Sequence, residues 1–152
     1  MQCDMCLSTH EFISYRNQII SHKIYRTSKA SISQKEVFMN DKTIKELAVE
    51  LTIQTTAVCD GIKGRSVFVN QLLRSCSSIG ANSFEAKYAQ SKADFINKLE
   101  IALKECYETQ YWLEILYKIN SIDGATYKEL NDKCGTIRRK LISSITTVKS
   151  KL

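Results

Sequence analysis

The chain has 152 residues and a formal net charge of +6, with no proline, 5 glycines and 43% hydrophobic residues. The length fits one domain with a core of ordinary size, and the apolar content argues against global disorder. The scarcity of turn formers argues against a sandwich or barrel of many short strands and for long helices joined by few turns.

No run of about 18 apolar residues is present, so no membrane span is expected. The opening stretch "MQCDMCLSTHEFISYRNQ" has no basic start followed by an apolar run, the pattern of a secretory signal. A cytoplasmic protein with reduced cysteines is the expectation for all six of them. A basic chain suits nucleic acid or another polyanion as partner.

In chain order, residues 1–38 read as polar, serine-containing and weakly periodic, apart from "EFISYRNQIISHKIY". Met39 begins "MNDKTIKEL", a natural start for a helical domain. Residues 1–38 are therefore expected either to precede the true start or to form an added arm, with 39–152 as the bundle domain. The first helix is expected over 43–59, where Ile44, Leu47, Ala48, Leu51, Thr55 and Val58 recur in steps of three and four. "DGIKGR" supplies two glycines and a stop. Ser66 reads as the N-cap of a second helix over 67–87, with Phe68, Leu72, Ser75, Cys76, Ile79, Ser83 and Ala86 on one side. Ser91 followed by Asp94 resembles a capping box. The third helix then runs to Lys118 through Phe95, Leu99, Ala102, Cys106, Thr109, Leu113 and Leu116. Its length of ~40 Å belongs to bundles and coiled coils. After "NSIDGAT", a fourth helix is expected over 127–150, carrying Leu130, Cys134, Ile137, Leu141, Ile145 and Val148. Short turns make sequential helices antiparallel, which gives an all-α, up-down-up-down antiparallel four-helix bundle.

Within the second helix, "SCSSIGANSFEA" (75–86) invites comparison with a phosphate-cradling loop. Such a loop needs several glycines between a strand and a helix start, with a lysine after the last. Here Gly80 stands alone in a helical pattern, so the small side chains are read as a seam that lets a neighbouring helix come close.

Three stretches, "QLLRSCSSIGANSFEA" (71–86), "SKADFINKLEIALKECYETQYWLEILYKINSI" (91–122) and "YKELNDKCGTIRRKLISSI" (127–145), resemble the bacterial four-helix-bundle proteins of the 23S ribosomal RNA intervening-sequence family. The resemblance extends over about residues 41–152, and "ETQYWLEI" is its most specific piece. It implies a small all-α protein forming a ring-like homo-pentamer, with no established enzymatic activity. A relative in the same fold, the accessory variability protein of diversity-generating retroelements, is a basic pentamer that binds nucleic acid and a reverse transcriptase. That offers a mechanism by analogy alone. Gly80 takes a place near which members often carry proline, and Thr52, Thr55 and Thr56 lower the helix propensity of the first helix. Arg74 and Glu85 match an Arg and a Glu of the family. Arg74, on the small-residue face, is expected to pair with a carboxylate of the third helix such as Glu105 or Glu108.

Cys3 and Cys6 offer two thiolates, but the spacing to His10 and His22 fits no zinc finger. Cys59, Cys76, Cys106 and Cys134 fall one per helix beside the apolar stripes and read as core residues. No metal and no cofactor is expected. With no histidine after His22, no Ser–His or Cys–His pair forms within the bundle, so catalytic residues are not expected and the protein reads as a non-enzyme. Tyr111 and Trp112 flank the stripe of Cys106, Leu113 and Leu116, as does Tyr107. They are expected at an interface between copies, where Tyr and Trp are enriched, with boundary packing inside one chain as the alternative. The candidate nucleic-acid contacts form two groups. Arg138, Arg139 and Lys140 fan over about 200° of the fourth helix. Topology gathers Lys87, Lys92, Lys149 and Lys151 with Lys42 and Lys45 at one end, partly offset by Asp41, Glu46, Glu85 and Asp94. These features point to an oligomeric accessory protein that contacts RNA or DNA; the alternative is a scaffold ring that binds another protein.

Overall fold

Four α-helices follow one another in the computed structural model, which describes residues 42–151, and no strand occurs among the described residues. They are α1 (Ile44–Cys59), α2 (Ser66–Glu85), α3 (Lys92–Lys118) and α4 (Gly124–Lys149), with a 3-10 turn at Ala86–Tyr88 between α2 and α3. The expectations for Cys3, Cys6, His10 and His22, and for an arm over 1–38, lie outside the described residues.

Local chemistry sets the helix ends. Thr43 caps α1 in a full capping box: its hydroxyl accepts from the Glu46 N–H at 3.2 Å, and the Glu46 carboxylate accepts from the Thr43 N–H at 2.8 Å. Ser91 accepts from the Asp94 N–H at 3.1 Å, but Asp94 reaches back to the Gln90 N–H at 3.2 Å, one residue earlier than in the usual box. Asp123 caps α4 by accepting from the Thr126 N–H at 2.8 Å, so that helix starts at Gly124, ahead of the expected residue 127. The exception is α2. Its N-cap is Arg65, which makes no side-chain bond, and Gly64 before it lies at φ +71°, a left-handed conformation that glycine adopts without strain. At its other end the expected helix over 67–87 tightens into the 3-10 turn after Glu85.

Contacts between helices fix the antiparallel order. At one end of the bundle, the Lys45 ammonium lies 5.1 Å from the Phe84 ring centre, Lys98 bonds Glu85 at 2.6 Å and Lys149 bonds Glu100 at 2.7 Å. Toward the other end the Gln54 amide donates to Glu129 at 3.1 Å, joining α1 to α4 and closing the ring of four helices. Leu47, Leu51, Leu72, Ile79, Leu113, Leu116, Leu130, Ile137 and Leu141 fill the interior with at most 2% solvent exposure. Near the start of α3 it is Ile96 that is buried, while Phe95, assigned to the stripe from sequence, is only partly covered.

The small-residue segment is helical through Gly80 and serves two neighbours. Toward α1, a Cβ built at Gly80 would sit 3.5 Å from the Ala48 Cβ, and the Cys76 thiol donates to the Thr55 hydroxyl at 3.6 Å. Toward α3, the Thr109 hydroxyl donates to Ser75 Oγ at 3.0 Å, and Ser75 in turn donates to the Leu72 carbonyl at 3.2 Å. Buried hydroxyls need such partners, since an unsatisfied one costs about 1–3 kcal/mol. The segment is a packing seam.

Cys59, Cys76, Cys106 and Cys134 are all free and buried. Burial pushes the Cys59 thiol up to about 11, with Cys76 and Asp60 adding to the rise. Burial likewise raises Cys76 against its bonds with Thr55 and Thr52; Cys106 is raised by its bond with Cys134 and by burial. Only the thiolate is nucleophilic. Because all four are buried, an aqueous thiol reagent at pH 8 should leave them unlabelled in the native chain and label all four in denaturant, as read by peptide mass spectrometry. Rapid native labelling of any one would contradict its burial.

Candidate nucleic-acid interface

The three consecutive cations of α4 separate as a 100° step per residue requires. Arg138 turns toward α3, where its guanidinium carbon lies 5.2 Å from the Tyr107 ring centre. Such a cation over an aromatic face contributes about 0.5–1 kcal/mol at an exposed site. Arg139 is exposed and folds along its own helix, donating to the Thr136 hydroxyl at 3.0 Å, with one nitrogen 3.6 Å from where a Cβ on Gly135 would be. Lys140 is half-buried and engaged.

The bundle end expected to gather lysines does so, and carboxylates engage part of it. Lys149 pairs with Glu100, Lys42 with Glu50, and Lys98 with Glu85. Lys87, Lys92 and Lys151 are exposed and make no ion pair among the described residues. Exposed pairs hold their partners by only about 0.2–1 kcal/mol, so a phosphate can compete for them.

Of the two aromatics assigned to an interface, Trp112 is half-buried, its ring stacked on Phe68 of α2 at 6.1 Å and its indole N–H donating to Glu108 at 3.3 Å. Tyr111 is 56% exposed and meets the Trp112 ring edge-on at 4.9 Å. Tyr117 and Tyr127 stack at 4.7 Å across the α3–α4 turn.

The densest polar cluster lies where α2 meets α3. Arg74 forms an ion pair with Glu108, lies 3.8 Å from Glu105, and donates through Nε to Gln71 at 3.1 Å. The pairing expected for Arg74 is thus present with both glutamates. Glu105 is buried, at 8% exposure, and its Oε2 has no hydrogen-bond partner; 3.8 Å is too long for one. For Glu108, burial raises the carboxyl, but the Trp112 indole and Arg74 outweigh it and hold the group below its ordinary value.

No group of three or more His, Cys, Asp or Glu side chains able to hold a metal ion occurs among the described residues. No described helix is long and apolar enough to cross a membrane. Sequence reasoning missed the Tyr107–Arg138 contact and the cations Lys104 and Lys118, which stand on the outer side of α3 with Tyr107 and Tyr111. The steps of three, four and seven among these four residues were the available signal.

Taken together, the molecule is a four-helix bundle with a mixed basic and aromatic surface. The family model described as 23S rRNA-intervening sequence protein matches residues 40–143, and the chain belongs to that family. Five solved chains match it. One is a protein of unknown function from the S23 ribosomal protein family of Bacteroides thetaiotaomicron, 42% identical, with a TM-score of 0.65 over 68% of this chain and 98% of that one. No functionally curated protein matches.

Proposed function

We propose that this family member is a non-enzymatic accessory protein that self-associates and contacts nucleic acid through the cations of α3, α4 and the lysine end. The observation that carries the reading is a group of exposed cations that form no ion pair among the described residues, Arg139, Lys87, Lys92, Lys118 and Lys151 among them; Lys104 stands near Glu108 and helps to hold its carboxyl low. Arg138, held over Tyr107, is oriented without being neutralised. Phosphate contacts need charge in register and little else, and repetition around an assembly, a ring of five by family resemblance, multiplies weak contacts into useful affinity. Self-association has exposed apolar surface available on α1 and, beside the lysine end, at the end of α2. Val49 and Ile53 stand one turn apart on α1, and Phe84 packs on Tyr88 at 5.3 Å at the end of α2. We place the contact between copies there, with Tyr111 and Trp112 as the second candidate; Trp112 is already occupied by Phe68.

The test is binding of RNA and DNA by the full chain across a salt series, with the oligomer mass recorded on the same sample. Micromolar or tighter affinity that falls steeply with salt is expected, and Arg138→Glu with Arg139→Glu should weaken it and flatten the salt slope. An oligomer that binds neither polymer would overturn the reading in favour of a scaffold for another protein.

A further inference from the structure

The outer side of α3 carries one more pattern. Lys104, Tyr107, Tyr111 and Lys118 follow in steps of three, four and seven, which keeps them in one stripe, two exposed rings between two cations. Each ring is braced from within. Tyr107 is 51% exposed, with the Arg138 guanidinium on it; Tyr111 is 56% exposed, with its edge contact to Trp112. Beyond Tyr111 lies an open depression of about 300 Å³ lined by Tyr111, Glu114, Ile115, Lys118 and Ile119. Its lining joins an aromatic ring and two isoleucines to a cation and an acceptor.

Flat apolar area beside a cation is what a nucleobase with its phosphate requires, and Glu114 supplies an acceptor for a base N–H. The spacing selects the form of the polymer. Four residues of helix separate the rings by ~6 Å along the axis. Stacked bases in a duplex are about 3.4 Å apart and hide their faces from protein. Only splayed, unpaired bases can lie on both rings.

We propose that this stripe is a stacking track for single-stranded nucleic acid, with successive bases on Tyr107 and Tyr111, one entering the depression, and Lys104, Arg138 and Lys118 on the backbone. The proposal rests on the nucleic-acid reading above and names the form of the ligand and the residues that hold it. Base–aromatic stacking contributes about 1–3 kcal/mol per base and tolerates any sequence.

The experiment compares fluorescein-labelled oligo(U) and oligo(A) with a hairpin duplex of the same phosphate count, by anisotropy at fixed salt, using the full chain. Tyr107→Leu, Tyr111→Leu and the Tyr→Phe variants at both sites are run alongside, with oligomer mass monitored throughout. Single strands should bind more tightly than the duplex. Each leucine variant should lose about fivefold or more in affinity for them, and the phenylalanine variants should retain it. Equal affinity for both forms, or leucine variants that bind as before while Arg138→Glu weakens binding, would overturn the stacking track and leave the accessory reading standing. No binding to any probe would overturn both. Leucine variants that lower the oligomer mass with unchanged single-strand affinity would reassign the stripe to contacts between copies.

Discussion

Leu113→Ala is expected to destabilise the bundle by about 3 kcal/mol, the middle of the range for leucine truncation in a packed core. Leu113 has no solvent exposure and lies on the buried side of α3, the longest of the described helices at 27 residues. Truncation removes three heavy atoms that α-helical neighbours cannot follow inward without breaking their own contacts, so a cavity remains. Chemical denaturation should show the midpoint falling at constant slope, and the melting temperature should drop by roughly 10 °C. Val67→Ala, at a position 68% exposed, is the matched control and should stay within about 0.5 kcal/mol of the parent. A cost below 1 kcal/mol at Leu113 would mean that α3 does not sit in the core.

Arg74→Ala should be the most damaging change at a position open to solvent, costing about 2 kcal/mol. Breaking a buried ion pair costs about 3–5 kcal/mol because it strands the partner charge. Arg74 is itself 52% exposed in its side chain, so that figure is reduced for screening. The stranded groups are Glu105, buried and short of hydrogen bonds, and Glu108, one turn further along the same helix. Glu105→Gln in the Arg74→Ala background should therefore recover part of the loss, because a neutral amide is cheaper to bury than an unpaired carboxylate. The pH dependence has a definite sign. Glu108 is held below its ordinary value of 4.5 in the folded chain. Its stabilising contribution is complete above that value and disappears as the pH falls through the folded value. The gap between parent and Arg74→Ala in urea denaturation should accordingly be wide at pH 7 and narrow as the pH falls below 4.5 and through the folded value. A gap that persists into acid would assign the loss to packing of the arginine stem.

What the sequence revealed depended on the range of the interaction. Apolar periodicity located all four helices, because a stripe such as Leu99, Ala102, Cys106, Thr109 and Leu113 is legible within one segment. Antiparallel order followed from short turns, and with it the gathering of lysines at one end. Their engagement by Glu50 and Glu100 did not follow, because it depends on rotation of each helix about its own axis. The same limit hid the Arg138–Tyr107 contact, whose members stand on different helices. Arg74 was the exception: a lone cation on a face of small residues, opposite two glutamates, has few other places to go. At the helix ends, Asp123 drew Gly124 into α4 because a side-chain cap outweighs the poor helix propensity of glycine.

The α1–α2 turn has a practical consequence. Gly64 has nothing within 4 Å of where a Cβ would lie, and Lys63, Arg65 and Ser66 around it are exposed. Ile62 packs against the core, but the exposed residues 63–66 after it hold no core side chain, and loop closure grows costlier only slowly with added residues. The chain can be lengthened there, by natural insertion or by an engineered peptide tag, without disturbing the bundle's register. A fluorophore carried on such an insertion would sit at the bundle end opposite the lysine end, close to Phe68 and through it to Trp112 and the C-terminal part of the α3 stripe. A reporter there would sense a polymer that reaches the C-terminal part of that stripe while leaving the lysine end clear.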